Sequence, residues 1–251
     1  MELFSGAEVF AGELRRRGYV VYTFDVLQGP SGYVLRAPVR ARIRKLLRSG
    51  MCLGLLAGVP CTSFSRARGG GPHAIRSSER PGGLPNLSEE NQRKVCEGNR
   101  LLQIAADIFL LCWRCDIPFV WENPMSSIMW LHPWATRFED LHGIEDISLH
   151  YCAYGARWMK PTRLRTFGLH RFQDLQRKCF RQVSSDGWVC GHSGLPHVVL
   201  QGRDPQGLPW TARANAYPRE LAVKLADKMV EAAHMKRFVH SLGLVCARAR
   251  S

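Results

Sequence analysis

The fold is decided by the stretch Met51-Cys-Leu-Gly-Leu-Leu-Ala-Gly-Val-Pro-Cys-Thr-Ser-Phe-Ser65. Its apolar part has the length and composition of a buried parallel strand, and it stops at Pro60-Cys61. Open α/β sheets place their chemistry just past the carboxyl ends of such strands, so Cys61 is a candidate nucleophile. The alternative is that Cys61 is ordinary core, because free cysteine is among the most buried residue types.

A second segment of this kind, Ile117-Pro-Phe-Val-Trp-Glu-Asn-Pro124, places the carboxylate of Glu122 at the same edge of the sheet. The N-terminus alternates in the same way, with a strand at 2–4, a helix at 9–17 and a strand at 19–24. Such alternation predicts an α/β fold with a Rossmann-like, doubly wound and mostly parallel sheet. Asp25 would end the second strand, where it could accept hydrogen bonds from a ribose or simply form a turn.

Further along the chain we expect a basic helix at 39–47, a helix starting at Ser88 and a closing helix at 218–229. The Gly- and Pro-rich segment from Ser63 to Pro85 is too long for a simple connection. Because it directly follows Cys61, we expect it to close over a bound substrate.

Composition points to a polyanionic partner. The chain has 251 residues, a formal net charge of +14 and clustered bases, which favours nucleic acid over a membrane. The longest apolar run, 101–113, is too short to span a bilayer, and no signal peptide is visible. Nine scattered cysteines indicate a reducing compartment rather than a disulfide framework. We therefore expect an intracellular protein, nuclear in a eukaryote and cytoplasmic in a prokaryote or phage.

Several motifs occur together in one order. They are Glu2-Leu-Phe-Ser-Gly-Ala-Glu8, Pro60-Cys61, Glu122-Asn123, Pro161-Thr-Arg-Leu-Arg165 and Ala214-Asn-Ala-Tyr-Pro218. In order and spacing the chain resembles the DNA cytosine-5 methyltransferases. The sequence of residues 152–163 looks most like that of the compact methylases of phages and mobile elements.

The resemblance implies a class I S-adenosylmethionine-dependent methyltransferase that acts on a flipped cytosine in double-stranded DNA, and we expect a monomer. Cys61 would attack C6 and Glu122 would bind N3, while Arg163, assisted by Arg165, would hold O2 and a nearby phosphate. The loop 63–85 would fill the space left by the flipped base. The residues implied for the cofactor are Phe4, Ser5, Gly6, Asp25, Pro60 and Asn215.

The chain departs from the family pattern in several places. Glu8 replaces the second glycine of the opening turn, Pro161 replaces a glutamine and Ala214 replaces a glycine. The acid expected at the end of the third strand has no counterpart between Asp25 and Cys61. Two alternatives therefore stay open: a catalytically inactive nucleic-acid-binding relic of a mobile element, and an RNA cytosine-5 methyltransferase.

Three regions are predicted: a catalytic domain at 1–165, a small target-recognition lobe at 166–213, and a C-terminal helical segment at 214–251 that returns to the catalytic domain. The lobe contains cysteines and histidines at intervals that can make a tetrahedral zinc site. The predicted ligands are Cys179, Cys190, His192 and His197, with Cys152 as an alternative. Buried thiols and solvent-facing histidines are the competing interpretation.

Overall fold

The computed structural model describes residues 1–65, 74–184 and 187–241. Its strands are β1 (Glu2–Leu3), β2 (Thr23–Phe24), β3 (Leu55–Gly58), β4 (Phe119–Pro124), β5 (Ile144–His150), β6 (Pro161–Phe167), β7 (Arg181–Ser184) and β8 (Gly187–Cys190). Its α-helices are α1 (Val9–Arg16), α2 (Ala37–Arg48), α3 (Glu89–Arg114), α4 (Pro133–Thr136), α5 (Trp210–Arg213) and α6 (Arg219–Ser241).

The predicted helices form for the expected reasons. In α2, Val39, Ile43 and Leu47 recur at helical spacing and all three are buried. The helix α3 begins where predicted, because the hydroxyl of Ser88 accepts a hydrogen bond from the backbone amide of Asn91. Within the described ranges, none of the helices combines the length and apolarity needed to cross a bilayer.

Six strands form one sheet in the order β2-β1-β3-β4-β6-β5. β1 to β4 run parallel, whereas β6 is antiparallel to both of its neighbours. The prediction of an α/β fold with a mostly parallel sheet, compatible with a Rossmann-like architecture, is confirmed. β2 is shorter than the predicted 19–24. It lies at the edge of the sheet, where its partner among the described strands is the two-residue strand β1.

Helices cover both faces of the sheet. α2 and α3 pack on the face that carries Ala57 and Trp121. α1 and α6 pack on the opposite face, which carries Leu56 and Val120. The segments 55–58 and 119–121 are therefore covered on both sides, which is why each reads as a continuous apolar run.

The lobe is built around the antiparallel hairpin of β7 and β8, whose connecting residues 185–186 lie outside the described part of the chain. After α5 the chain returns, and α6 packs along α1, where Arg17 pairs with Asp227 at 2.6 Å. The predicted C-terminal segment covers 214–251. Residues 242–251 of that segment also lie outside the described residues.

The loop after Cys61 is more firmly held than its composition suggested. The guanidinium of Arg76 is buried against the ring of Phe64 at 3.9 Å. It donates hydrogen bonds to the carbonyl of Ser63, the carbonyl of Val95 and the side chain of Asn99. Within the loop 63–85, which is expected to close over a bound substrate, the segment 74–85 is therefore anchored to α3. The remaining part, 66–73, lies outside the described residues.

Candidate active site and metal site

The candidate nucleophile and acid lie at the same edge of the sheet, as predicted. Gly58 at the end of β3 pairs with Glu122 in β4, and Cys61 follows three residues later. Burial and the nearby carboxylate of Glu122 raise the pKa of the half-buried Cys61 thiol, while the ammonium group of Lys160 lowers it. A thiol, a carboxylate and an ammonium group therefore act on one another here.

Two close contacts fix the relative position of the two strand ends. The side-chain amide of Asn123 donates a hydrogen bond of 2.6 Å to the carbonyl of Val59. A Cβ atom at Gly58 would lie only 2.8 Å from the hydroxyl of Tyr217 and 3.1 Å from Oε2 of Glu122. Glycine at this position lets the Glu122 carboxylate and the Tyr217 hydroxyl lie directly against the backbone of β3.

Glu122 is surrounded by groups that the sequence did not identify. The hydroxyl of Tyr151 donates to Oε1 of Glu122 at 3.3 Å, and Nζ of Lys160 lies 3.7 Å from the same oxygen. Burial and the Glu122 carboxylate raise the pKa of Tyr217 well above its ordinary range. The sequence motifs assign no role to Lys160 or Tyr151, and Tyr217 occurs in the motif Ala214-Asn-Ala-Tyr-Pro218 without an assigned role.

The two arginines of β6 are not placed beside Glu122. In the register of β4 and β6, Glu122 pairs with Leu164, whereas Arg163 and Arg165 pair with Asn123 and Trp121. Directly paired residues share a face of the sheet, so both arginines lie on the face opposite to Glu122.

Arg165 is also fully committed to partners within the protein. It is completely buried and donates to both carboxylate oxygens of Asp146, at 2.9 and 2.8 Å, and to the carbonyl of Ala135. Arg163 pairs with the same Asp146 and lies over the ring of Trp130. The expectation that Arg165 holds the cytosine is corrected: its hydrogen bonds anchor β6 to β5 and α4.

The turn after β1 lies beside Asp25, because β1 and β2 are neighbouring parallel strands and their carboxyl ends meet at one edge of the sheet. Oδ2 of Asp25 accepts a hydrogen bond of 3.0 Å from the amide of Gly6, and Oδ1 accepts one from Leu27. Phe4, with φ of 55°, turns the chain sharply after β1. The hydroxyl of Ser5 is buried and has no hydrogen-bond partner among the described residues. An unpartnered buried hydroxyl in a turn of this kind is available to a ligand.

The other residues expected at the cofactor are less enclosed. Pro60 and Asn215 are both exposed. The carboxylate of Glu8 is turned toward its own helix and the β2 loop, where it pairs with Arg15 at 2.7 Å and accepts from Gln28 at 2.6 Å. Glu8 is therefore held by these two partners.

The lobe contains a cluster of metal-ligating side chains. One ligand atom from each of Cys152, Cys179, Cys190 and His197 lies within 4.8 Å of every other. The distance from Sγ of Cys179 is 3.7 Å to Sγ of Cys190 and 3.6 Å to Nε2 of His197. A tetrahedral zinc ion with ordinary bond lengths would separate two sulfurs by about 3.8 Å and a sulfur and a nitrogen by about 3.5 Å. The cluster could thus hold a metal ion such as zinc.

The surroundings of the cluster also suit a metal ion. Burial raises the pKa of Cys190, but hydrogen bonds from the backbone amides of His192 and Ser193 and from the side chains of Ser193 and His197 together lower it to about 6, which favours the thiolate that binds metals. Nδ1 of His150 accepts a hydrogen bond from the amide of Cys179 at 2.9 Å. The described cysteines are all free of disulfides.

One predicted ligand is wrong. Nε2 of His192 lies 3.0 Å from the carbonyl of Lys178, and its ring packs against Phe180. Cys152, the alternative, takes its place. Cys152 is distant in sequence from the other ligands, and only the turn at Tyr151–Tyr154, directly after β5, brings it beneath the lobe. This turn connects the two sites, since Tyr151 contacts Glu122.

Comparison with known proteins gives no match: no protein-family model, no curated protein and no solved structure is similar to the chain at a significant level. The function proposed below therefore rests on the residues and the geometry of the site.

Proposed function

We propose that the protein methylates C5 of cytosine in DNA with S-adenosylmethionine as methyl donor, through a covalent bond between Cys61 and a flipped base. The observation that carries the proposal is the Cys61 thiol beside the Glu122 carboxylate at the carboxyl edge of a parallel sheet. The motifs of the cytosine-5 methyltransferases, found in order along the chain, favour this reaction over other uses of a cysteine and a carboxylate.

The residues of the site can perform the steps that cytosine requires. C5 is a poor nucleophile until a nucleophile adds to C6, and a thiolate such as that of Cys61 is well suited to this addition. Once the Glu122 carboxylate has taken up a proton, it can donate that proton to N3 and neutralise the charge that develops on the ring. After methyl transfer, a base takes the C5 proton, the ring double bond re-forms, and the bond between Sγ and C6 breaks to release the Cys61 thiolate.

The cofactor would lie at the turn after β1. S-adenosylmethionine, when bound, supplies the electrophilic methyl group. The unpartnered hydroxyl of Ser5 and the carboxylate of Asp25 are placed to hold its polar groups, and each Asp25 oxygen keeps lone-pair capacity beyond its one backbone bond. Glu8 is tied to Arg15 and Gln28, which supports cofactor binding despite the lost glycine.

DNA would approach the edge that carries Cys61 and the adjoining lobe. The exposed bases Lys178 and Arg181 lie in the lobe, and the exposed Arg157 lies before β6. Arg44 and Arg48, in contrast, lie near the end of α2. The chain leads from there into the start of β3, whereas Cys61 follows the end of that strand. The excess positive charge of the lobe would neutralise phosphates and make binding sensitive to salt.

We propose a structural role for zinc at the cluster of Cys152, Cys179, Cys190 and His197. The lobe has few buried apolar residues between 176 and 209, and a bound metal ion can supply the folding free energy that such a segment lacks. The protein supplies all four ligands of a tetrahedral site, as in structural zinc sites. Catalytic zinc sites leave one position for water or substrate.

The test is transfer of labelled methyl groups from S-adenosylmethionine to duplex DNA of mixed sequence, with Cys61→Ala and Cys96→Ala proteins beside the wild type. We expect label in DNA from the wild type and from the exposed-cysteine control, and none from Cys61→Ala. RNA of the same sequences is included as a second substrate. Label in RNA alone would replace DNA by RNA in the proposal.

One observation favours a different function. Arg163 and Arg165, which the resemblance assigns to the base, are paired with Asp146. A relic that binds nucleic acid without turnover would have no need of free arginines here. Salt-sensitive DNA binding by a folded protein that transfers no label would support the relic.

A further inference from the structure

We propose that Lys160 is the positioning residue of this site: it supplies the positive charge that holds the Glu122 carboxylate and favours the thiolate form of Cys61. The inference rests on the proposed role of Cys61 as a nucleophile. Neither the sequence motifs nor the family resemblance assigns a function to Lys160.

The position of Lys160 is fixed from several sides. Its Nζ donates to the carbonyl of Ala214 at 3.0 Å and to the hydroxyl of Tyr151 at 3.4 Å, and it lies 3.7 Å from Oε1 of Glu122. The ammonium group also lies 4.4 Å from the centre of the Tyr151 ring. With its side chain only 15% exposed, this charge is poorly screened by water.

The backbone at Lys160 is also unusual. Its φ is 29°, a region that residues with a Cβ rarely adopt. The next residue is Pro161, which begins β6 and restricts the conformation of the residue before it. Strain of this kind persists where the surrounding structure holds a residue in place, and it is commonly found at functional sites.

A positive charge is needed here because the site otherwise gathers groups that oppose a thiolate. Cys61 is half-buried and lies near the carboxylate of Glu122, which in turn is flanked by the hydroxyls of Tyr151 and Tyr217. Two negative charges in one poorly hydrated pocket repel each other strongly. Lys160 is the cation that acts on the Cys61 thiol among the described residues.

The other nearby cations are committed elsewhere. Arg163 and Arg165 lie on the opposite face of the sheet with Asp146. Arg76 donates to Ser63 and to the carbonyl of Val95. Of these basic residues, Lys160 is the one whose ammonium group lies next to Glu122.

The test is the pH dependence of Cys61 alkylation by iodoacetamide, followed on the Cys61 peptide by mass spectrometry. The variants are Lys160→Gln, which keeps a hydrogen-bond donor without the charge, Lys160→Arg, which keeps the charge, and Lys45→Gln as a surface control. We expect the alkylation midpoint of Lys160→Gln to rise by about 1 pH unit, which makes the reaction roughly tenfold slower at a fixed pH below the midpoint. Lys160→Arg should restore most of the rate, and Lys45→Gln should match the wild type.

Coincident profiles for Lys160→Gln and the wild type would overturn the proposal. Should Lys160→Gln fail to fold, Lys160→Met provides the uncharged side chain, with thermal unfolding as the check on the fold. Alkylation requires neither DNA nor S-adenosylmethionine, so a shifted midpoint in a protein that transfers no methyl group would sink the methyltransferase proposal alone. If the wild type is active, Lys160→Gln should lower kcat at least tenfold and leave the KM for DNA within twofold.

Discussion

The side-chain amide of Asn123 lies 2.6 Å from the backbone carbonyl of Val59 and donates a hydrogen bond to it. This bond joins the end of β4, which carries Glu122, to the turn that carries Cys61. The two groups that the proposed reaction needs are thus held together by one buried contact between neighbouring strands.

Replacing Asn123 by Ala should loosen that connection. The carbonyl of Val59 would lose its partner in a buried setting, and we expect the free energy of unfolding to fall by about 1–3 kcal/mol. Methyl transfer per folded molecule should fall as well, because the separation of Cys61 from Glu122 is no longer fixed. Urea unfolding and initial rates check this, with Asn91→Ala on the surface of α3 as control. Equal stability of the two variants would contradict the account.

Glu122→Gln should make the Cys61 thiol more acidic. Burial and the Glu122 carboxylate raise the pKa of Cys61, and the substitution removes the second of these causes. Alkylation of Cys61 should therefore reach its midpoint at lower pH, while methyl transfer falls because Gln cannot protonate N3. A midpoint that stays in place would mean that the carboxylate does not act on the thiol.

Substitutions at Cys152, beneath the lobe, and at His192, within it, should have opposite effects on zinc binding. Cys152→Ser should abolish zinc binding, because it removes one of the four converging ligands. His192→Ala should bind zinc as the wild type does, because its ring nitrogen faces the carbonyl of Lys178. Metal content after dialysis, measured by atomic spectroscopy, decides the matter. Loss of zinc from His192→Ala with retention in Cys152→Ser would reverse the assignment.

Arg165→Lys should destabilise the fold. A lysine cannot reproduce the two parallel hydrogen bonds to Asp146 together with the bond to Ala135, and it would leave buried groups unpaired. We expect a loss of about 2–4 kcal/mol in the free energy of unfolding. Arg163→Lys, at a partly exposed site, should cost less. The order of the two variants in denaturant unfolding is the readout, and the reverse order would count against a structural role for Arg165.

Glu2→Gln should change how stability depends on pH. Burial raises the pKa of Glu2 from 4.5 to about 8, so in this range the folded state holds a proton that the unfolded state releases. The wild type must then lose stability as pH rises through this window, by at most about 1.4 kcal/mol per pH unit. Glu2→Gln lacks this loss. The free energy of unfolding of the variant, relative to that of the wild type, should therefore increase with pH and level off above about 8. An advantage independent of pH would show that Glu2 is ionised in the folded protein.

The sequence was informative wherever the signal was local. The runs before Cys61 and around Glu122 are apolar on both faces of the sheet, so their strand character and their shared edge could be predicted. The N-cap at Ser88 could likewise be predicted, because Glu89 and Glu90 follow it directly.

What the sequence could not predict depends on register and on long-range packing. The face on which Arg163 and Arg165 lie is set by the antiparallel pairing of β6 with β4, and a single-residue slip would reverse it. The ammonium group of Lys160 is held beside Glu122 by Tyr151 and by the carbonyl of Ala214, which is 54 residues away in the sequence. The choice of Cys152 over His192 follows from the turn after β5, which spacing alone does not reveal.

The most direct test of the central claim is to trap the bond between Cys61 and cytosine. Duplex DNA that contains 5-fluorocytosine should, with S-adenosylmethionine present, give a complex stable to denaturation, because fluorine replaces the proton that must leave C5 before Cys61 can depart. The account predicts that the modified peptide contains Cys61 and that Cys61→Ala forms no such complex. A stable complex through another cysteine would contradict it, as would methyl transfer by Cys61→Ala at the rate of the wild type.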